Sequence, residues 1–334
     1  MTAKRSVIPV FIPHLGCPQT CVFCDQGEIS GTAGADTAKA VLRELKGALE
    51  KIPQNCDTEL AFYGGSFTAI PAEKQTELLS AVLPFLHSGE IRSIRISTRP
   101  DAIDEETLER LRCYGVKTIE LGAQSMCDEV LKASKRGHLA KHTVLASKMI
   151  KRHGFRLILQ MMTGLPCDSR ERAIYTAQRI IALAPNGVRI YPAVVLKDTA
   201  LYDMWKEGTY EAHTVEQAVE WCVCLLEMFT KAGIPVIRLG LNPSSGLSAS
   251  SAAAGAFHPA FGELVRSQVL LESAREVLRR KPHGKSVKLG VNKSEVSALI
   301  GQKRAGLTAL IEEFSLLELK IEAADVEIGK ILLL

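Results

Sequence analysis

The sequence predicts an α/β protein built from βα units around a parallel sheet, with a smaller α/β extension following it. Two observations carry this. Short apolar, β-rich segments alternate with longer segments of helical period, and the composition changes abruptly near Asn242 before a further set of helical and β-like runs begins. A chain of 334 residues exceeds one simple domain, so a large core plus an appendage is the natural expectation.

Strands are expected at 7–12, 59–63, 93–97, 118–121, 156–160, 187–191 and 236–239. Helices are expected at 37–51, 105–114 and 214–232, where apolar residues recur every three or four positions with charges between, and helical patterns follow at 260–280 and 293–314. Asp104 followed by Glu105 and Glu106 marks a helix start, and Gly115 marks its end just before the next strand. Such short αβ connections suit a barrel.

The 46% hydrophobic and 23% charged content is that of a folded, soluble chain rather than a disordered one. A net charge of only +4 excludes a general polyanion binder, so any nucleic-acid site must be local. The apolar run at 7–15 is broken by Pro9, Pro13 and His14 and reads as a strand, not a leader peptide. No run of roughly 18 apolar residues occurs, so no membrane association and a cytoplasmic location are expected.

Nine cysteines, with three crowded into Cys17-Pro18-Gln19-Thr20-Cys21-Val22-Phe23-Cys24, point to metal and reduced thiols rather than a disulfide framework. Three thiolates at C-x3-C-x2-C spacing can hold three irons of a 4Fe-4S cubane and leave the fourth open. Zinc would want a fourth ligand, and Cys222 and Cys224 make a poor second pair; a thioredoxin-like pair of Cys21 and Cys24 leaves Cys17 unexplained. His14 reads as a capping or packing residue, and Cys56, Cys113, Cys127, Cys167, Cys222 and Cys224 as ordinary buried thiols, with Cys167 the one to test for catalysis.

This cysteine loop, with an aromatic residue before its last cysteine, resembles the signature of the radical S-adenosylmethionine (SAM) superfamily. Phe62-Tyr63-Gly64-Gly65-Ser66-Phe67-Thr68, Arg99-Pro100-Asp101, Glu120-Leu121-Gly122-Ala123-Gln124-Ser125, Arg136-Gly137-His138, Gly164-Leu165-Pro166, Arg189-Ile190-Tyr191-Pro192 and Leu201-Tyr202-Asp203-Met204-Trp205 resemble the radical domain of the Elongator catalytic subunit and its bacterial relatives. The resemblance implies a partial (β/α)6, TIM-like barrel over residues 5–242, a linker or loop over 243–256 and an α/β extension over 257–334. It also implies a 4Fe-4S cluster on Cys17, Cys21 and Cys24, with SAM as cofactor. In that family one electron from the cluster cleaves SAM to methionine and a 5'-deoxyadenosyl radical.

By the same resemblance, Gly64, Gly65 and Ser66 form the turn that meets the methionine amino group, although a Gly-Gly pair alone reads as a tight βα turn. Ser97, Gln124 and Gln160 stand at or near strand ends, the side of a βα barrel where chemistry gathers, and are candidates for the ribose and carboxylate of SAM. Relatives often carry a carboxylate at the position of Ser97. Arg136 and His138 are candidate contacts or part of a solvated basic face. Arg189 and Tyr191 share one face of a strand; pointing inward they could bind an anion or relay a hydrogen, and they are the catalytic candidates.

The stretch after Leu241 is too short for the acetyltransferase domain that the Elongator subunit carries, and no acetyl-CoA pattern is evident. Between Arg275 and Arg304 stand Arg275, Arg279, Arg280, Lys281, Lys285, Lys288, Lys293, Lys303 and Arg304 against Glu276 and Glu295, a local basic tract or a solvated helix face. Within it, Gly301-Gln302-Lys303-Arg304 resembles the G-x-x-G loop of a KH RNA-binding module, with arginine at the second glycine. The leading expectation is a radical SAM enzyme acting in the modification of tRNA or other RNA, with an electron donor such as flavodoxin or ferredoxin. The alternatives are an oxidoreductase resembling oxygen-independent coproporphyrinogen oxidase and a non-catalytic iron–sulfur RNA-binding protein.

Overall fold

The computed structural model describes residues 5–18, 20–30, 34–53, 56–243, 247, 252–280 and 284–334. Gln19 of the cysteine loop, half of the expected linker and Lys281 of the basic tract lie outside these residues. The chain forms two compact units, Met1–Thr214 with Met228–Pro259, and Val215–Glu227 with Ala260–Leu334.

In the first unit, β1 (Arg5–Phe11), β2 (Asp57–Tyr63), β3 (Ser93–Thr98), β4 (Val116–Gln124), β5 (Arg156–Thr163), β6 (Gly187–Pro192) and, after a short β7 (Val194–Leu196), β8 (Val236–Leu239) are joined. Seven of them form one parallel sheet in the order β1-β2-β3-β4-β5-β6-β8. This is a partial barrel in which six βα units lead to a seventh strand. All seven strands fall where the apolar runs place them.

The strands sort their side chains by parity, because neighbours along a strand point to opposite faces. Ile94, Ile96, Ile119, Leu121, Leu157, Leu159, Val188 and Ile190 are fully excluded from solvent on one face. Tyr63, Ser97, Glu120, Gln124, Gln160, Arg189 and Tyr191, at the alternate positions, line the interior cavity. Helices return the chain between strands. Asp104 caps the helix Glu105–Cys113 by accepting a hydrogen bond from Thr107 N at 2.7 Å, and Gly115, at φ +77°, turns the chain directly into β4. Within the segment expected as a linker, β9 (Ala252–Gly255) pairs antiparallel with β7.

The second unit has its own apolar core, built from Leu270, Leu278, Leu289, Val291, Leu299, Leu310 and Leu319 among others. The helix Phe261–Arg280 leads to β10 (Ser286–Asn292), the helices Val296–Ile300 and Ala305–Glu313, β11 (Glu318–Ala324) and β12 (Ile331–Leu333). The order is β11-β10-β12, with β10 parallel to β11 and antiparallel to β12. The single helix expected over 293–314 is divided into two. Gly301, Lys303 and Arg304 take φ values of +75°, +50° and +65°, which a right-handed helix cannot contain.

Among the described residues no helix is long and apolar enough to cross a membrane.

Candidate functional site

The cysteine loop is fastened to the turn after β2 by continuing the β1–β2 pairing beyond the strands. Ile12 N donates to Tyr63 O at 2.8 Å, His14 N to Gly64 O at 2.9 Å, and Ser66 N to Leu15 O at 2.8 Å. Gly16 and Gly65 permit this closeness. A Cβ on Gly16 would lie 2.2 Å from Ser66 O, and one on Gly65 would lie 2.4 Å from Leu15 O and 2.6 Å from Ile12 O. The Gly64-Gly65 turn therefore has a role the sequence did not reveal: Gly65 is small because the backbone leading to the cysteines packs on it.

Cys17, Cys21 and Cys24 all line one cavity of about 440 Å³, within the range of small-molecule sites. Cys17 Sγ lies 3.4 Å from Ser66 Oγ, Arg136 Nη1 donates to Cys21 Sγ at 3.0 Å, and Gln26 Nε2 donates to Cys24 Sγ at 3.4 Å. Burial pushes the Cys24 thiol up to about 12, so the protein alone does not make it a thiolate; bound iron would supply the missing positive charge. Among the described residues no three His, Cys, Asp or Glu side chains converge tightly enough to grip one ion. A cubane takes its three thiolates on three separate irons, so it does not require them to converge on one ion. Arg136 Nε is buried without a hydrogen-bond partner, an unfilled donor beside the cysteines that suits an anionic ligand. The residues present thus fit a cluster with an anionic cofactor beside it.

The remaining candidates meet in the same cavity. Gly64, Gly65, Ser66, Ser97, Gln124 and Gln160 all line it, and Gln160 Nε2 donates to Gln124 Oε1 at 3.2 Å. Arg189 and Tyr191 point inward onto its wall, and Arg189 Nη1 donates to Tyr191 Oη at 3.1 Å. His138 is buried near Ala123 O and does not line the cavity; burial and Arg136 push it down to about 4. His14 accepts a hydrogen bond from Gln26 N through Nε2, the capping role expected of it. The expectation that the six remaining cysteines are all buried is corrected: Cys113 and Cys167 are exposed, Cys56, Cys127 and Cys224 are half-buried, and Cys222 is buried. Cys167 does not line the cavity.

Sequence reasoning missed the polar network beneath this site. Glu120, 3% exposed, receives Arg95 Nη1 at 2.5 Å and Arg189 Nη2 at 3.1 Å, while Arg95 also holds Glu59 at 2.5 Å. Tyr63 Oη donates to Glu120 at 3.2 Å and accepts from Arg189 Nη2 at 2.8 Å. Burial and the Glu120 carboxylate keep the Tyr63 phenol neutral. Burial works against the Arg189 charge, but Tyr191, Glu120 and Tyr63 outweigh it, so that cation is already matched. By contrast, Arg238 on β8 reaches the cavity with Gly240 O as acceptor and no carboxylate partner among the described residues. The signal was in the strands: polar residues at alternate positions of otherwise apolar runs.

Comparison with known proteins agrees with this geometry. Residues 11–180 match the model of the Radical SAM superfamily, and residues 185–270 match that of the Radical_SAM C-terminal domain. The tRNA uridine(34) acetyltransferase of Methanocaldococcus infernus is 31% identical over 193 residues, 52% of this chain and 36% of the relative. Elongator complex protein 3 of Schizosaccharomyces pombe is 28% identical over 256 residues, 65% of this chain and 47% of the relative. The chain thus spans less than half the length of both. The solved structure of the archaeal Methanocaldococcus infernus Elp3 with an N-terminal deletion superposes with a TM-score of 0.64 at 23% identity, covering 86% of this chain and 71% of the other, a likeness of fold. With the cysteine loop, the cavity and the family match in register, the chain belongs to the radical SAM superfamily and is a radical SAM enzyme, using a 4Fe-4S cluster and S-adenosylmethionine.

Proposed function

We propose that this enzyme modifies tRNA in the cytoplasm, drawing electrons from a small reductant such as flavodoxin or ferredoxin. The observation that carries the reading is the cavity itself: three cysteines on one wall, and on the strands β6 and β8 a wall with a cation, Arg238, that has no carboxylate partner among the described residues. An unmatched arginine in a partly apolar pocket favours an anionic substrate such as a nucleotide. The relatives named for tRNA and the Elongator complex support the same substrate class.

In this reading Cys17, Cys21 and Cys24 hold the cluster, while Ser66, Ser97, Gln124, Gln160 and Arg136 hold the cofactor against it. When bound, the cluster and cofactor supply a 5'-deoxyadenosyl radical. Tyr191, oriented by Arg189, stands on the wall shared with Arg238, where a substrate hydrogen could be guided or returned. The network of Glu120, Arg95 and Arg189 keeps these groups in place and fills the barrel beneath them.

The test is anaerobic. Reduced, cluster-loaded protein is incubated with SAM and either unmodified tRNA or a mixture of small metabolites, and 5'-deoxyadenosine and modified nucleosides are measured. Stimulation by tRNA together with a new nucleoside mass supports the reading. Stimulation by the metabolites alone overturns it.

A further inference from the structure

We propose that the loop at residues 301–304 in the second unit clamps the backbone of a single-stranded nucleic acid. The inference concerns a separate unit from the barrel and does not require the barrel's chemistry.

β10 leads into the short helix Val296–Ile300, a tight loop, the helix Ala305–Glu313 and then β11, which lies parallel to β10 in a three-stranded sheet. A strand, two helices joined by a tight loop, and a second strand form the arrangement in which KH modules use a G-x-x-G loop to hold about four nucleotides by their backbone. The helix that periodicity predicted as continuous is broken at the position this arrangement requires.

The loop backbone follows the same pattern where the sequence departs from it. Arg304 stands at the second glycine of the motif, yet its φ is +65°, in the left-handed region where glycine is the usual occupant. Lys303 is left-handed as well, at +50°. Gly306 lets the second helix start against the first: a Cβ there would lie 2.3 Å from Leu299 O. The chain has therefore kept the loop's backbone course while placing a cation at its tip.

Ion pairing thins the basic tract on the long helix more than at this loop. Arg275 and Arg279 are both bound to Glu313, Arg280 lies 3.5 Å from Glu276, and Lys288 lies 3.6 Å from Glu322. Glu313 thus offsets Arg275 and Arg279, the two longer and exposed pairs hold Arg280 and Lys288 only weakly, and Lys285 has no carboxylate partner among the described residues. Lys303 and Arg304 are exposed and have no carboxylate partner among the described residues, and Lys293 is likewise unmatched at the other end of the five-residue helix. Lys303 and Arg304 are consecutive at the loop tip, so this pair lies within reach of adjoining phosphates of one strand. Contacts of this kind position a polynucleotide without reading its sequence.

The experiment uses the full chain and fluorescence anisotropy with a short labelled RNA, the same sequence as DNA, and the corresponding duplex, across a salt series. Single strands should bind more tightly than duplex, and comparison of RNA with DNA identifies the source of the strand. Lys303→Glu with Arg304→Glu should weaken binding at least about tenfold and lower the slope of log Kd against log salt by about 0.7 per lost phosphate contact. Arg279→Glu, an equal charge reversal per residue on the ion-paired face, should stay within about twofold of the parent. Should the double reversal disturb folding by thermal melting, Lys303→Gln with Arg304→Gln must still lower the salt slope. Equal weakening by Arg279→Glu, unchanged binding in both double variants, or a preference for duplex overturns the proposal. Iron content and tRNA-independent cofactor cleavage are read in parallel, so failure of this loop and failure of the tRNA reading remain distinguishable.

Discussion

Arg136 donates from Nη1 to Cys21 Sγ across 3.0 Å and from Nη2 to Gly122 O across 2.9 Å, so one guanidinium ties the cysteine loop to β4. A hydrogen bond from a cation to a cluster sulfur favours the reduced, more negative state. Arg136→Met should therefore retain iron and lower the cluster's midpoint potential, by roughly 40 mV for the loss of about 1 kcal/mol of preference. An electron paramagnetic resonance redox titration decides it; an unchanged or higher potential refutes the role.

Replacing Cys17, Cys21 or Cys24 by Ala removes one of the three cysteine sulfurs at the cavity. Each variant, reconstituted anaerobically, should lose the broad visible absorption of the cluster and most of its iron. Stoichiometric zinc without iron in the parent protein would count against the assignment.

Gly65→Ala carries a sharper consequence than a crowded cofactor. Its Cβ would fall 2.4 Å from Leu15 O, which is backbone and cannot rotate away. Overpacking of this kind costs about 1–3 kcal/mol, and the strain is delivered to the cysteine loop. Melting temperature and iron content should fall together. A variant with both at parental values would show that the loop yields without penalty.

Glu120→Ala leaves the buried Arg95 and the half-buried Arg189 facing each other without the carboxylate that joins them. Breaking a buried ion pair by removing one partner costs about 3–5 kcal/mol. Glu120→Gln, which keeps the shape and some hydrogen bonds, should lose less. Urea denaturation of the three proteins measures both effects; a loss below about 1 kcal/mol in the Ala variant would place the network outside the stability of the barrel.

Two groups give pH dependences of opposite sign. Burial pushes His138 from its ordinary 6.5 down to about 4, so the folded state prefers it neutral; its contribution is present above pH 6.5 and lost as pH falls toward 4. Burial also raises Asp168 from 3.8 to about 6 against the backbone donors Gly164 N and Ser169 N; its contribution is present below 3.8 and lost as pH rises through 6. Each amounts to about 3 kcal/mol, from about 1.4 kcal/mol per pH unit. Relative to the parent between pH 4 and 6.5, His138→Gln should lose less stability on acidification, and Asp168→Asn should lose more. Parallel stability curves for all three proteins would refute both assignments.

The strand order was legible because each parallel strand is an apolar run bounded by turn residues, and the cysteine loop was legible because spacing alone restricts its chemistry. The Glu120 network was not, since it joins β2, β3, β4 and β6 and depends on a register that no local pattern states. The basic tract misled for a related reason. Glu313 and Glu322 follow Arg304 in the sequence, yet they are adjacent in space to Arg275 and Lys288. Gly65 was recognised as a turn residue, but the partner that demands its smallness belongs to a loop some fifty positions earlier.

The hydrogen bonds from Ile12, His14 and Ser66 that seal the cysteine loop to the end of β2 bear on how this enzyme survives damage. In small metal-folded modules, losing the metal means losing the structure. Here the loop is held by backbone bonds that iron does not supply, anchored to a sheet with its own apolar core. Loss of the cluster would leave these bonds in place, and restoring it would then call for iron and sulfide delivered to the loop rather than for a new chain.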